Sequence, residues 1–494
     1  MDFLDPRQHR RHVLMIYVGY AVIGLAILIG TIILMNIAYG FGLGKNGQVV
    51  QNGFMYLSTY PSGADIRLNG KLQNAKTNAR LSLPGAAYHV QLDRDGYKSW
   101  QRDIVLEGGS VMRFDYPLLI PSNLKTTDIK SYTTAPTLAV QSPDRRWLLV
   151  QHTDDQSAFD MYDLKSFDSK TLKQTVTSIA IPADLITSGS NSSWQLGEWS
   201  TDNQHVLLQH LVDGKTEFIV VDRTDPTKSI NLTDTLKVSP TKVTLRDKKY
   251  DQYYLYDATS QILSTASLND PAPVTLLDHV LNYQSYGSDI VLYASSNASS
   301  SDKVAINLLQ GGKTYSLRET TAGTNYLLNI TRYSGSWYVA VGASSENKVY
   351  IYKNPVNQLS SKLGVLTPVY ILKTEAPTYL AFSSNAQYIM DENGTKFSVY
   401  DAEYDKGYTY DAGAPIDTPQ QHASWMDGNR LTYVSGGKLL IFDYDHTNAQ
   451  TLVTANPNYL PFFDTAYKFV DVLNTGASGK TTLINTSLRI PADQ

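Results

Sequence analysis

Gln141-Ser-Pro-Asp-Arg-Arg-Trp147-Leu-Leu-Val150 and Trp199-Ser-Thr-Asp-Asn-Gln-His205-Val-Leu-Leu208 follow one design, a polar turn built on Ser and Asp that leads into an aliphatic run. The run suits a pleated, half-buried strand, and the turn residues suit the reversal before it. Clear later copies are Tyr333-Ser-Gly-Ser-Trp337, Phe382-Ser-Ser-Asn-Ala-Gln-Tyr388 and Trp425-Met-Asp-Gly-Asn-Arg430, with weaker ones at 245–255, 286–293 and 463–472. A second strand follows each copy. Its markers Tyr162, Val221, Ala266, Asn307, Ile351, Tyr400, Phe442 and Ile484 are 59, 45, 41, 44, 49, 42 and 42 residues apart. A period of about 40–45 residues with about four strands per unit is that of a β-propeller. Eight blades are predicted, with seven as the alternative because the copies near Leu245 and Tyr286 are weak.

The ends of this region fit a closed ring. After Leu488 only Arg489-Ile-Pro-Ala-Asp-Gln494 remains, too little for the last unit's fourth strand, whereas 127–133 is a spare strand ahead of the first unit. Placing that strand in the last blade closes the ring and removes an exposed sheet edge. Tandem sandwiches would give a similar period without explaining the missing strand. The propeller is therefore assigned to 122–494. Its Ser142-Pro143-Asp144 turn resembles that of propeller repeats common in extracytoplasmic bacterial proteins.

Upstream, short strands are predicted at 54–60, 65–68, 79–83, 88–92, 100–106 and 111–118, with Asn69-Gly70 marking a hairpin and Asp95-Gly96 a second turn. Asn-Gly favours positive φ at both central positions of such a turn. The spacing predicts a small antiparallel β-sandwich over 54–121. Pro61-Ser-Gly63-Ala64, Asp65-Ile-Arg-Leu-Asn-Gly70-Lys, Leu81-Ser-Leu-Pro84-Gly85 before Tyr88, and Asp95-Gly96-Tyr97-Lys98 together resemble a PEGA domain, named for its Pro-Glu-Gly-Ala turn. Ser62 replaces the name-giving Glu, and Thr77-Asn78 stands where the family usually has Thr-Pro; both are turn positions, so altered loops are expected rather than another fold. The resemblance implies a non-enzymatic module of bacterial and archaeal surface proteins, often set between a membrane anchor and another domain.

From Val13 to Ala38 there is no Asp, Glu, Lys or Arg. That run exceeds the roughly 20 helical residues that cross the hydrocarbon, and it is too long for the apolar core of a cleaved secretory signal. A transmembrane helix is assigned to 13–38, a basic cytoplasmic tail to 1–12 and a Gly-rich flexible tether to 39–53. Arg7, Arg10 and Arg11 precede the span and Lys45 alone follows it closely, so the N-terminus is expected inside and the β domains outside.

Composition narrows the chemistry. The 494 residues contain no Cys, which excludes disulfides, thiolate nucleophiles and Cys-ligated metals. A net charge of -4 offers no basic footprint for nucleic acid. Gly476-Ala-Ser-Gly479-Lys480-Thr481 resembles the tail of a phosphate-binding loop, but Asn474 stands where the first Gly belongs and a strand-like run follows, so it reads as a hairpin tip. Asp401, Asp405 and Asp411, and likewise Asp443 and Asp445, can in principle converge on Ca²⁺, yet their Gly and Glu spacing is wrong for an EF-hand; solvated turns are expected. His205 and His210 fall on opposite faces of a strand and cannot share an ion, and His89, His152, His279, His422 and His446 show no ligand spacing. Trp147, Trp199, Trp337 and Trp425 recur at what read as equivalent repeat positions, favouring packing between blades over sugar stacking.

No catalytic, cofactor-binding or metal-ligating residue is therefore assigned. The sequence predicts a single-pass envelope protein whose exported domains bind or scaffold a protein or glycan, with its oligomeric state open. The alternative is a propeller hydrolase or lyase acting on an envelope or extracellular polymer from residues scattered over several blades.

Overall fold

The computed structural model describes residues 6–38, 41–43, 49–152, 154–168, 170–323, 325–418 and 421–493. Helix α1 runs Pro6–Ala38, 33 residues and so about 50 Å long. It begins earlier than the apolar run alone suggested, taking in part of the segment expected as a separate tail. Pro6 is preset for a first helical position, and Gln and Arg sustain a helix in water. Within it, Arg10–Met35 is long and apolar enough to cross a membrane, and none of it is buried. Leu14, Tyr17, Ile23, Leu28 and Leu34 are all exposed, which a core helix of a soluble domain would not allow. A helix of this kind serves as a membrane anchor or a signal peptide.

The chain divides after Asn123 into two compact units. In the first, eight strands make two four-stranded sheets. β1 (Phe41–Leu43), β2 (Val49–Leu57), β5 (Ala79–Pro84) and β8 (Val111–Phe114) form one, and β3 (Asp65–Leu68), β4 (Lys71–Lys76), β6 (Ala86–Asp93) and β7 (Trp100–Leu106) the other, in the order β4-β3-β6-β7. Along β7 the residues alternate cleanly, Trp100, Arg102, Ile104 and Leu106 inward and their neighbours outward. They meet Met55, Leu57, Ile66, Val90 and Leu92, all buried.

Three features depart from expectation. The first sheet is mixed, because β8 runs parallel to β2 after the chain crosses from the other sheet through Glu107–Ser110. β4 went unpredicted, since Lys-Leu-Gln-Asn-Ala-Lys shows no alternation and lies at a solvent-facing edge. Part of the proposed tether is strand: Phe41–Leu43 pairs with Val49–Gln51. The β-branched Val49-Val50 extends β2 backwards, a propensity that outweighed the glycines around it; the rest of the tether, 39–40 and 44–48, lies outside the described residues.

The motif residues occupy turns and close approaches. Asn69 and Gly70 close the β3–β4 hairpin at φ 49° and 78°. Gly63, at φ 83°, donates its amide to the Thr77 carbonyl at 2.7 Å, and the Thr77 hydroxyl accepts from the Ala64 amide at 2.9 Å. Thr59 and Thr77 share a hydroxyl contact of 2.6 Å, so the Pro61–Ala64 turn is stitched to the Thr77-Asn78 turn that departs from the family pattern. Tyr88 donates to the Pro84 carbonyl at 2.9 Å, Gly96 turns at φ 82°, and Tyr97 is buried. At Gly85 a Cβ would stand 2.9 Å from the Gly108 amide, so the backbone there has no room for a side chain.

The second unit is a ring of eight four-stranded antiparallel sheets. Blades 1 to 7 span 139–180, 192–231, 242–277, 280–321, 326–372, 379–411 and 424–454. Blade 8 takes three strands from 462–487 and its outermost from β9 (Lys125–Tyr132), paired antiparallel along Thr481–Ser487. The eight marker strands are the third strand of their sheets, which settles the blade count at eight.

In blades 1, 2, 6 and 8 the repeated turn has one geometry. Ser142, Ser200, Ser383 and Asp464 each accept at their carbonyl from the residue three on, at 2.8–3.1 Å. That residue, Arg145, Asn203, Ala386 or Tyr467, sits at φ between 51° and 63°. In Ser142 and Ser383 the hydroxyl also accepts from the amide five residues on, at 3.0 Å. Side-chain acceptors thus stabilise a left-handed turn, which explains why Ser and Asp recur there.

The four tryptophans are not equivalent. Trp199 and Trp425 end first strands, while Trp147 and Trp337 lie at the start of second strands. A turn-to-Trp spacing read as one position hides two because the turn can lie on either side of the residue. Trp147 and Trp199 nonetheless pack with Leu149, Phe159 and Val206 across blades 1 and 2, and Trp337 packs between blades 4 and 5.

Candidate functional site

Strands alternate direction in each blade, so the turns between first and second strands gather at one end of the ring. Turns between second and third strands, with the links between blades, gather at the other. First strands of neighbouring blades touch one another (280–286, 326–333 and 379–382), which places them around the axis.

At the first end, turns of neighbouring blades are bonded to one another. Asp144 in blade 1 donates its amide to Asn203 in blade 2 at 3.1 Å, Thr201 donates to the Lys248 carbonyl in blade 3 at 3.0 Å, and Asp247 donates to Gly287 in blade 4 at 3.1 Å. Across the ring closure, Arg145 of blade 1 donates to the Tyr467 hydroxyl of blade 8 and, at 2.5 Å, to the Met426 carbonyl of blade 7. One guanidinium therefore ties three blades.

The opposite end carries side chains set for chemistry. On the link into blade 7, His422 holds the buried Glu392 of blade 6 at 2.6 Å through Nδ1, and its ring stacks on Tyr379 at 4.2 Å and 2°. His422 lines a small cavity with Gln421, Tyr433, Tyr459, Leu460 and Pro461. An imidazole oriented by a carboxylate and flanked by aromatic and amide groups can hydrogen-bond and stack a polar ligand.

Blade 2 holds a linear chain of three groups. His210, fully buried on Leu207 and Leu208's strand (His205–Val212), contacts the Ser192 hydroxyl through Nε2 at 2.8 Å and Glu217 through Nδ1 at 3.1 Å. Ser192 opens the first strand of the blade and Glu217 lies on the third, so neighbouring strands present all three to one another. Thr187 fixes the far side of Glu217 by its amide at 3.1 Å and by its hydroxyl. Burial alone would raise the Glu217 carboxyl, but the hydrogen bonds from Thr187 and His210 outweigh it and hold it below its ordinary value. Trp194 covers the imidazole face at 4.3 Å and 19°.

Asp391 and Asp471 are among the carboxyls buried without a cation. Asp391 accepts from Thr374 at one oxygen and has no partner at the other, and burial pushes it up to about 7. Asp471, bonded to Asn485 at 3.0 Å, is likewise pushed up to about 7 by burial.

The motifs weighed from sequence fall as follows. Gly476–Thr481 forms a hairpin tip with Gly479 at φ 79°. Asp401 accepts from the amides of Glu403 and Tyr404 at 2.9 and 3.3 Å, Asp405 takes the Tyr400 hydroxyl, and Asp445 takes Thr447; these carboxylates serve turns. His205 faces Asp202 at 2.6 Å, away from His210. Among the described residues no three His, Asp or Glu side chains are grouped to hold a metal. Sequence reasoning passed over Ser192, Glu217, Glu392, Asp391 and Asp471. The one available signal was their setting, polar residues inside otherwise aliphatic strands such as Val-Leu-Leu-Gln-His-Leu-Val.

Among curated proteins, none matches this sequence. Solved structures similar to the chain include the Dos1 propeller (14% identity, TM-score 0.45, covering 74% of this chain and 94% of that one) and Hsv2 of Kluyveromyces lactis (10%, 0.42, 66% and 100%). An oligogalacturonate lyase from Vibrio parahaemolyticus is similar at 9% identity and a TM-score of 0.37, over 76% of this chain and all of that one. Likenesses this distant add nothing to what the sheet topology shows, and they assign no activity. Residues 53–120 match the PEGA family, so the chain carries a PEGA domain ahead of its eight-bladed ring.

Proposed function

We propose that this protein is a single-pass membrane protein that displays its propeller outside the membrane as a binding or scaffolding platform for another envelope component, protein or glycan. The observation that carries this reading is α1, whose apolar stretch has no buried residue between Val13 and Met35 and is preceded by Arg10 and Arg11. An exposed surface of that size needs a lipid environment, and the arginines favour an N-terminus held inside. The PEGA domain fits an extracellular setting. The ring's end that carries the links between blades supplies the contact face, where His422, Gln421 and Tyr459 line a cavity.

Crosslinking and pull-down of the full chain from intact envelopes tests this. The expected result is recovery of one envelope polymer or protein, reduced at least tenfold by His422→Ala with Tyr459→Ala. Retention in the soluble fraction, or no specific partner among peptidoglycan, polysaccharide and envelope proteins, would overturn it.

A further inference from the structure

We propose that Ser192, His210 and Glu217 form a nucleophilic triad that hydrolyses short-chain carboxylic esters. The geometry is that of an activated hydroxyl: the base lies 2.8 Å from the Ser192 oxygen, and its other nitrogen lies 3.1 Å from a carboxylate. Such a carboxylate fixes the tautomer that leaves Nε2 free to accept, and it stabilises the imidazolium that follows. Glu217 is itself held by the Thr187 amide and hydroxyl. Packing fixes the base as well, because Trp194 stacks on it and is anchored through its indole N–H to the Gln156 carbonyl at 2.8 Å. The imidazole itself is buried, whereas the Ser192 it contacts is partly exposed.

In the reaction, the Ser192 oxygen bonds to the acyl carbon as its proton passes to His210 Nε2. The ester C–O bond then breaks and the alcohol leaves with that proton. Water, deprotonated by the same nitrogen, attacks the acyl-serine; the Ser192 C–O bond breaks, His210 Nε2 returns the proton to the Ser192 oxygen, and the carboxylic acid departs. No oxidant or other co-reactant is needed. The acyl group is short because His210 is fully buried beneath Trp194, which leaves no room for a long chain over the imidazole. An acetyl ester carried on a larger alcohol satisfies this, since the alcohol can remain outside. This activity is independent of the binding reading and of α1.

The test uses the detergent-solubilised full chain with a fluorophosphonate probe and with 4-nitrophenyl acetate. Peptide mapping is expected to place the probe on Ser192, and the ester to give a burst of nitrophenolate stoichiometric with protein. Ser192→Ala should abolish both, whereas Glu217→Gln should slow labelling at least tenfold with an unchanged circular dichroism spectrum. Wild-type protein that shows no Ser192 adduct and no burst overturns the proposal. So does labelling of Ser192 that is no faster than that of other exposed serines, or that Glu217→Gln leaves unchanged while the fold is intact.

Discussion

The sandwich and the propeller are both built of four-stranded sheets, yet they treat charge in opposite ways. Arg102 is the one ionised side chain among the described buried residues of the sandwich, whereas the ring buries Asp160, Asp222, Asp391, Glu392, Asp401, Asp443 and Asp471. Sheet exposure explains the difference. A sandwich strand has one face inside and one in water, so β7 alternates perfectly and its acids can point out. A blade is covered on both faces by its neighbours, and its middle strands are buried residue after residue, as in Tyr388–Glu392 and 397–401. A carboxylate there has no outward position and must find hydrogen bonds inside.

Removing a core aromatic from each unit separates them most sharply. Tyr132 closes the ring: it is buried on β9, donates to Asp160 at 2.8 Å and meets the Tyr162 hydroxyl at 2.7 Å. Tyr132→Ala is expected to cost about 4 kcal/mol, from a cavity plus a buried carboxylate deprived of a donor. Trp100→Ala, which removes the ring packed against Phe114 and Tyr116 at 5.9 and 6.1 Å, should cost the sandwich about as much. Calorimetry should show each variant lowering a different transition. If either substitution shifts both transitions equally, the two units do not unfold separately and the contrast fails.

The buried acids predict a pH dependence confined to the ring. With its folded value raised to about 7, Asp391 still holds a proton in the native state where the unfolded carboxyl, near 3.8, has lost it. Folding therefore takes up a proton in that window, so this group's contribution falls as pH rises from about 4 to about 7 and is flat outside it. Asp391→Asn, a neutral mimic, should melt like wild type at pH 4 and be more stable by about 2–4 kcal/mol at pH 8, taking about 1.4 kcal/mol per tenfold change in proton affinity. Asp471 should leave the variant a residual loss over the same range. The sandwich transition is expected not to respond to the substitution at either pH. A variant less stable than wild type at pH 8 would mean that the carboxylate is solvated inside the blade and the proposed cost is absent.

How legible each unit was follows from the same geometry. The sandwich declared itself in its punctuation, since Asn69-Gly70 and Gly63 must take positive φ and few residues other than Gly, Asn and Asp do so cheaply. The ring declared itself in its period, because third strands such as 397–401 repeat a β-prone run ending in Asp. β4 and the parallel pairing of β8 stayed hidden: an edge strand with both faces wet carries no alternation, and pairing direction leaves no mark on composition. Blade 2's polar chain was invisible for another reason. Ser192, His210 and Glu217 are brought together by cross-strand register, and register is not written in local spacing.

Two glycines of the sandwich give the finest version of the contrast, because they are required for different reasons. At Gly53 a Cβ would stand 2.6 Å from the Glu107 carbonyl oxygen and 2.8 Å from the Leu106 side chain, where strands from the two sheets approach. Since the nearest atom is backbone, Gly53→Ala forces the sheets apart, at about 2 kcal/mol. Gly70 meets nothing within 4 Å but sits at φ 78°, so Gly70→Ala strains only its own turn, at about 1 kcal/mol. Gly70→Asn should recover most of that loss, because Asn tolerates the left-handed region, whereas Gly53→Asn should be worse than Gly53→Ala because it adds bulk. Urea denaturation of the four variants reads this as a crossing of the two series: Asn better than Ala at 70, worse than Ala at 53. Parallel series at the two sites would show that conformation, not close approach, governs both.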